Sequence, residues 1–138
     1  MIKIEGMAEL EAQLKQLEKS LDPDKTEPIL YDAAKDLAKV MRSNAPKGPT
    51  GNLKKSLRAR KLKRYAGGNA AAGAGVDRKK APHAGFIEFG TGERQQKTGK
   101  GTGSVTAKPF IRPAWDANKE RITRKVIDQL KGQIDKCL

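Results

Sequence analysis

Leucine spacing near the N-terminus predicts a short amphipathic helix. Apolar residues recur there at alternating intervals of three and four, as Met7, Leu10, Leu14, Leu17 and Leu21. This spacing places them on one side of a helix of about four turns. The pattern is too short for an independent coiled coil. The apolar side can pack against its own domain, which is the simpler interpretation, or dock onto a neighbouring subunit.

Two longer apolar repeats predict two further helices. One follows the turn at 22–24, and Thr26 can cap it. It ends before Pro46, because proline disfavours helical geometry in the preceding residue. Its apolar side consists of Ile29, Ala33, Leu37 and Val40. The other begins near Pro113, since proline suits the first position of a helix. Its apolar side consists of Trp115, Ile122, Val126, Leu130 and Ile134.

Short strands and loops are predicted between these helices. Residues 57–65 and 84–89 are expected to form strands, and residues 72–76 a weaker one. In the 84–89 strand, Phe86 and Glu88 point to one face. The 57–65 strand is basic on both faces, so it must lie at a sheet edge or have a solvated face.

Two loops carry no such pattern. The loop at 46–51 holds two prolines and two glycines, which makes it rigid and shaped. Residues 92–108 form the longest segment without predicted structure, and we expect a mobile loop there. Together the elements predict an α+β fold in a single domain, residues 1–138. A small antiparallel sheet of three to four strands is packed by two longer helices, with a short N-terminal amphipathic helix at one edge.

Charge is distributed unevenly along the 138 residues, whose net charge is +13. Residues 1–38 hold five basic and nine acidic groups, residues 39–80 hold 13 and one, and residues 81–138 hold 11 and six. The basic middle suits an anionic partner such as nucleic acid, an acidic protein face or a membrane surface, or it simply keeps the protein soluble. The candidate contacts to a partner or to DNA are Lys54, Lys55, Arg58, Arg60, Lys61, Lys63, Arg64, Lys97 and Lys100.

Candidate chemistry is sparse, so neither catalysis nor a cofactor is expected. The single cysteine, Cys137, excludes an internal disulfide framework and a cysteine-based metal cluster, and the single histidine, His83, excludes a His-rich metal site. On a strand, His83 and Glu88 would lie on opposite faces and could not act as an acid–base pair. If Glu88 is buried it needs a partner. That partner is Arg112, a set of loop amides, or a group across a subunit interface.

Secretion and membrane insertion are not expected either. No apolar run approaches the roughly 18 residues that span a bilayer. The N-terminus lacks the apolar region of a secretory signal.

Three fragments in sequence order resemble the minor tail-component, or tail-completion, family of long-tailed bacteriophages and prophages. They are residues 45–57 (APKGPTGNLKKSL), 86–91 (FIEFGT) and 108–114 (KPFIRPA), preceded by a leucine-spaced helix that also resembles the start of that family. His83-Ala84 stands where the family usually has an aromatic-Ala pair, and the insert before 108 is long and basic. The motif residues, with structural roles in turns, caps and core, are Pro46, Thr50, Gly51, Leu53, Ser56, Glu88, Phe89, Gly90, Thr91, Pro109, Phe110, Arg112 and Pro113.

The resemblance implies a non-enzymatic virion protein of the tail or neck, assembled in the host cytoplasm. Its partners would be other tail or connector proteins and further copies of itself, for instance in a ring, without a membrane. The alternative function is sequence-independent DNA binding through the basic segment 54–64. Few aromatic residues are available there to stack on bases.

Overall fold

A computed structural model describes residues 6–63 and 68–137 of the chain. It confirms the α+β class. The described elements are α1 (Met7–Ser20), α2 (Pro23–Asn44), α3 (Asn52–Ser56), β1 (Leu57–Lys61), β2 (Ala72–Val76), α4 (Ala84–Phe89), β3 (Thr91–Gln95), β4 (Gly101–Val105) and α5 (Ile111–Cys137). Two residues of the predicted 57–65 strand, Arg64 and Tyr65, lie outside the described residues, as do residues 1–5.

The two long helices, α2 and α5, pack against each other in antiparallel directions. The Lys25 carbonyl, near the start of α2, accepts a 3.1 Å hydrogen bond from the Gln133 amide near the end of α5. Further along α2, Asp36 pairs with Lys125 at 2.5 Å. The cap of α2 differs from the sequence prediction. The helix begins at Pro23, and the Asp22 side chain, not Thr26, accepts the amide of residue 24.

Helix α2 contacts both strands of the first sheet, β1 and β2, as well as α5. Its buried residues include Ala33, Ala34 and Ala38, and Ala45, directly after the helix, is also buried. β1 and β2 pair antiparallel, from Leu57 opposite Val76 to Lys61 opposite Ala72. β1 therefore has the solvated face that its composition predicts, because Leu57 is fully buried while its basic side chains are exposed.

The prediction of a strand at 84–89 is wrong, since this segment forms the short helix α4. Ala84 and Glu88, four residues apart, share its buried side. Phe86 and Phe89 are both exposed, so neither Phe acts as a core residue of a strand. His83 and Glu88 therefore do not lie on opposite faces of a strand, because His83 precedes α4 directly and Glu88 lies within it.

The expectation of no regular structure in 92–108 is also corrected. β3 and β4 form an antiparallel hairpin across most of this segment, with shifts in register at Arg94. The four described strands therefore form two separate two-stranded sheets and not one sheet. That this segment is mobile in the free protein stays a prediction.

The core cluster joins α2, the 45–57 segment, the turn before α4 and the start of α5. Its members are Met41, Ala45, Leu53, Leu57, Ala81, Ala84, Phe110 and Ala114. Trp115 does not belong to it, contrary to the predicted apolar side of α5. Trp115 is 44% exposed, whereas Ile122 on the same helix is buried. Among the described helices, none combines the length and apolar character needed to cross a membrane.

Candidate functional site

Glu88 joins two of the three motif fragments. Its Oε2 accepts hydrogen bonds from the backbone amides of Phe110 (2.7 Å) and Ile111 (3.0 Å), and its Oε1 accepts the amide of Arg112 (3.0 Å). These three amides are at the start of α5, where helical N–H groups have no partner within the helix. Of the partners proposed for a buried Glu88, the structure therefore shows backbone amides.

The electrostatics of Glu88 favour its charged form. Burial raises the pKa of this carboxyl group, because only 6% of the residue is exposed. The three amide hydrogen bonds and the nearby Arg112 charge lower it by more, so the pKa lies below the ordinary value of 4.5. The carboxylate thus stays ionised at neutral pH and complements the positive end of the helix.

Gly90 ends α4 in a conformation that only glycine readily adopts. Its φ is 70° and its ψ is −179°. A Cβ atom here would lie 2.8 Å from the carbonyl oxygen of Val105 and 2.9 Å from the amide of Ala107. The base of the β3–β4 hairpin is closed by two further bonds, from the Val105 amide to Thr91 Oγ1 (3.0 Å) and from the Lys108 amide to the Ile87 carbonyl (2.8 Å).

The first motif fragment forms a corner beside the same core. Gly51 takes a positive φ of 65°, and α3 begins directly after it. Leu53 and Ser56 are buried, and the Ser56 hydroxyl donates to the Leu53 carbonyl at 2.6 Å. Phe110 of the third fragment, which is fully buried, shares a core cluster with Leu53. The three fragments therefore meet around one part of the core.

Several motif residues point to solvent instead. Pro109, Arg112 and Pro113 are exposed, and Phe89 is 77% exposed. Phe89 and Trp115 line an open groove of about 760 Å³ between α2, α4 and the start of α5. The sequence analysis did not predict this groove, because it assigned Trp115 to the core side of α5.

The basic surface of β1 is partly neutralised by acidic residues. Arg58 and Arg60 both face Asp77 Oδ2, at 2.6 Å and 3.6 Å, and Lys61 pairs with Glu27 at 3.1 Å. Sequence reasoning did not single out Asp77. The sequence did hold a signal for it, because residues 39–80 contain 13 basic residues and a single acidic one, Asp77.

Asp77 is held in its charged form. Its burial raises the pKa, but the Lys79 amide and the charges of Arg58, Arg60 and Lys80 lower it below the ordinary value of 3.8. The other proposed contact cations are not gathered at one place. Lys54 is half-buried and Lys55 and Lys63 are exposed near β1, whereas Lys97 and Lys100 lie at the turn of the β3–β4 hairpin.

Residues 6–63 and 68–137 contain no group of three or more His, Cys, Asp or Glu side chains placed to hold a metal ion. Both oxygens of Glu88 accept hydrogen bonds from the start of α5. This carboxylate therefore has a structural task.

Residues 8–90 match a protein-family model named HK97-gp10-like and described as "Bacteriophage HK97-gp10, putative tail-component". This match spans more than half of the chain. The chain belongs to this family. The HK97-gp10-like assignment confirms the resemblance to phage tail components, and it covers the corner at 46–56 and α4 but not the start of α5. No curated protein and no solved structure matches the chain.

Proposed function

We propose that this tail-component family member is a non-enzymatic structural protein that acts by protein–protein contacts during tail completion or head–tail joining. The observation that carries the proposal is the large apolar side chains left on its surface. Met7, Leu10, Leu14, Phe89 and Trp115 are each between 44% and 77% exposed. They form two separate groups, one on α1 and one at Phe89 and Trp115, and exposed apolar groups of this kind are typical of sites that bind other proteins.

The motif residues support the same proposal. Glu88 holds α5, Gly90 closes the hairpin, and Leu53 and Phe110 fill the core. Each of these tasks maintains a scaffold, and none prepares a group for proton transfer or nucleophilic attack. The partners proposed are other tail or connector proteins and further copies of this chain in a homo-oligomer, assembled in the host cytoplasm and retained in the virion.

Electron microscopy of phage lysates tests this function. A strain lacking the gene is compared with the same strain supplied with the intact gene, or with a copy carrying an early stop codon as the matched control. We expect separate filled heads and tails, or tails with faulty ends, in the deletion and in the stop-codon control. The intact gene restores joined particles. Intact, infectious particles from the deletion strain would contradict the proposal.

A second candidate function is sequence-independent DNA binding through the basic segment 54–64. It is favoured by the exposed Lys55, Arg58 and Arg60, whose charges exceed that of Asp77. Binding that rests on phosphate contacts weakens steeply with salt, by a slope of about −0.9 per phosphate on a double-logarithmic plot. We expect only a shallow slope, because Asp77 already pairs with Arg58 and Arg60 of this segment, and Glu27 pairs with its Lys61. A steep slope with tight binding at physiological salt would favour the DNA-binding function.

A further inference from the structure

Helix α1 leaves most of its apolar side uncovered. Only its last turns pack on the rest of the chain, where Leu17 is half-buried and Ser20 is buried. Met7, Leu10 and Leu14 are 47%, 49% and 55% exposed. This row, which we call the α1 seam, has the i, i+3, i+7 spacing of helices that bind in apolar grooves. A short helix gains most of its stability from covering such a side, so the α1 seam calls for a partner surface.

A groove of suitable character lies elsewhere on the same chain. The Phe89–Trp115 groove has a floor formed by Leu37 and Met41 of α2 and Ile111 of α5. Phe89 stands at its edge with 77% of its surface exposed. Burial of aromatic side chains contributes strongly to binding at protein interfaces.

The chain's own α1 does not occupy this groove in the structure. Lys25, five residues beyond α1, contacts Gln133 near the end of α5, whereas Trp115 lies near the start of α5. Eighteen helical residues separate these two points, which corresponds to about 27 Å. Of the described residues that line the groove, none comes from α1. With α1 anchored by its buried Ser20 away from the groove, an α1 helix in the groove would be that of another molecule.

Charge complementarity points to a second copy of this chain as that molecule. Glu11 and Glu18 lie one turn before and after Leu14, and both are exposed along the α1 seam. The rim of the groove carries Arg78 and Arg112, and Arg78 begins the exposed run Arg78-Lys79-Lys80. Asp116 is the one exposed acidic residue lining the groove. The two glutamates beside the leucines of the α1 seam thus complement the arginines on the rim of the apolar groove.

We propose that α1 of one copy docks with its leucines into the Phe89–Trp115 groove of the next copy. The two surfaces are different patches of the chain, so the contact is head-to-tail, and it generates a ring where the rotation closes. This inference rests on the homo-oligomer proposed above. It does not rest on where in the virion that oligomer stands.

Paired charge variants test the contact in purified protein. Leu14→Glu damages the seam and leaves the groove intact, whereas Phe89→Glu damages the groove and leaves the seam intact. Trp115→Glu is an independent groove variant. Gln16→Glu is the matched control, since it adds the same charge on the opposite side of α1. Circular dichroism verifies that each variant is folded. Analytical ultracentrifugation measures association at protein concentrations up to about 1 mM, so that even a weak dissociation constant of this order is detected.

We expect the intact protein and Gln16→Glu to associate equally, and each seam or groove variant alone to associate at least about tenfold more weakly. Mixing Leu14→Glu with Phe89→Glu should give dimers that grow no further, because one intact seam meets one intact groove. A monomeric intact protein at every concentration would overturn the proposal. Normal association of the Phe89→Glu protein would also overturn it and would indicate contact between two α1 helices. Normal association of the Leu14→Glu protein would overturn it as well and would indicate contact between two grooves.

The outcome is separable from that of the proposed function. If the deletion abolishes joined particles but the mixed variants give no dimer, the tail role stands and the docking geometry fails. If the mixed variants give dimers but the deletion strain yields infectious particles, the docking geometry stands and the tail role fails.

Discussion

Replacing Glu88 by glutamine is the sharpest test of the structural task given to this carboxylate. Glutamine keeps the size of the side chain and one acceptor oxygen, which can retain the bonds to Phe110 and Ile111. Its NH₂ group replaces Oε1, the acceptor of the Arg112 amide at 3.0 Å. One amide at the start of α5 then faces a donor instead of an acceptor, and the negative charge at that helix end is lost.

The cost follows from these two losses. A hydrogen bond to a charged acceptor contributes about 1.5–3 kcal/mol to stability. A negative charge at the start of a helix contributes about 0.3–1 kcal/mol. Together they predict a loss of about 2–4 kcal/mol, which corresponds to a decrease in melting temperature on the order of 10 °C for a chain of this size.

Calorimetry at neutral pH measures this decrease, with Glu93→Gln as the control. Glu93 is an exposed carboxylate on β3, so the same chemical change there should shift the melting temperature by no more than about 2 °C. A Glu88→Gln protein that melts with the intact protein would refute the reasoning, because the buried carboxylate would then contribute nothing to α5.

The pH dependence gives a second reading of the same contact. Because the pKa of Glu88 in the folded protein is below its ordinary value of 4.5, its stabilisation is complete above that value and is lost as the pH falls through the folded pKa. The difference in stability between the intact protein and Glu88→Gln should therefore be constant at neutral pH and shrink below about pH 4.5. A difference that stayed constant down to pH 2 would contradict a charge-based role.

Three further predictions follow from the same structure. Gly90→Ala should lower the free energy of unfolding, measured in urea, by about 1–3 kcal/mol, because φ at Gly90 is positive and a Cβ there would meet the Val105 carbonyl. The control, Gly92→Ala, has open space around the new Cβ and should have little effect. Phe110→Ala should cost about 3–5 kcal/mol in the same assay, because Phe110 is fully buried. Asp77→Asn should strengthen DNA binding, because it releases Arg58 and Arg60 from their ion pairs. The slope of the binding constant against salt concentration, on a double-logarithmic plot, should become steeper by up to about 2. An unchanged slope in a salt titration would contradict this prediction.

The helices were predictable where a repeated apolar spacing specified them. α1, α2 and α5 extend over 14 to 27 residues, long enough for the period of 3.6 to show. α4 has six residues, and over that length an alternation of Phe86, Ile87, Glu88 and Phe89 reads equally well as a strand. Its Glu88 accepts hydrogen bonds from backbone amides 22–24 positions later in the sequence, which local patterns do not report.

The β3–β4 hairpin was missed for a different reason. Strand prediction relies on one apolar face, and the residues of these strands are exposed almost throughout. Among the surface features, the basic segment was predictable from its charge alone. Its partial neutralisation by Asp77 was not predictable, because it depends on the pairing of β1 with β2, which brings Asp77, the residue directly after β2, to Arg58. The Phe89–Trp115 groove was out of reach of sequence reasoning, because α4 was assigned to the wrong type of element.

The closed base of the β3–β4 hairpin bears on how this chain can change over evolution. Hydrogen bonds from the Val105 amide to Thr91 and from the Lys108 amide to Ile87 hold the two ends together, whatever lies between them. Once the ends are fixed, each doubling of the length of a flexible connection costs only about 0.6 kcal/mol. The length, composition and charge of the hairpin can therefore change at little cost to the core around Phe110.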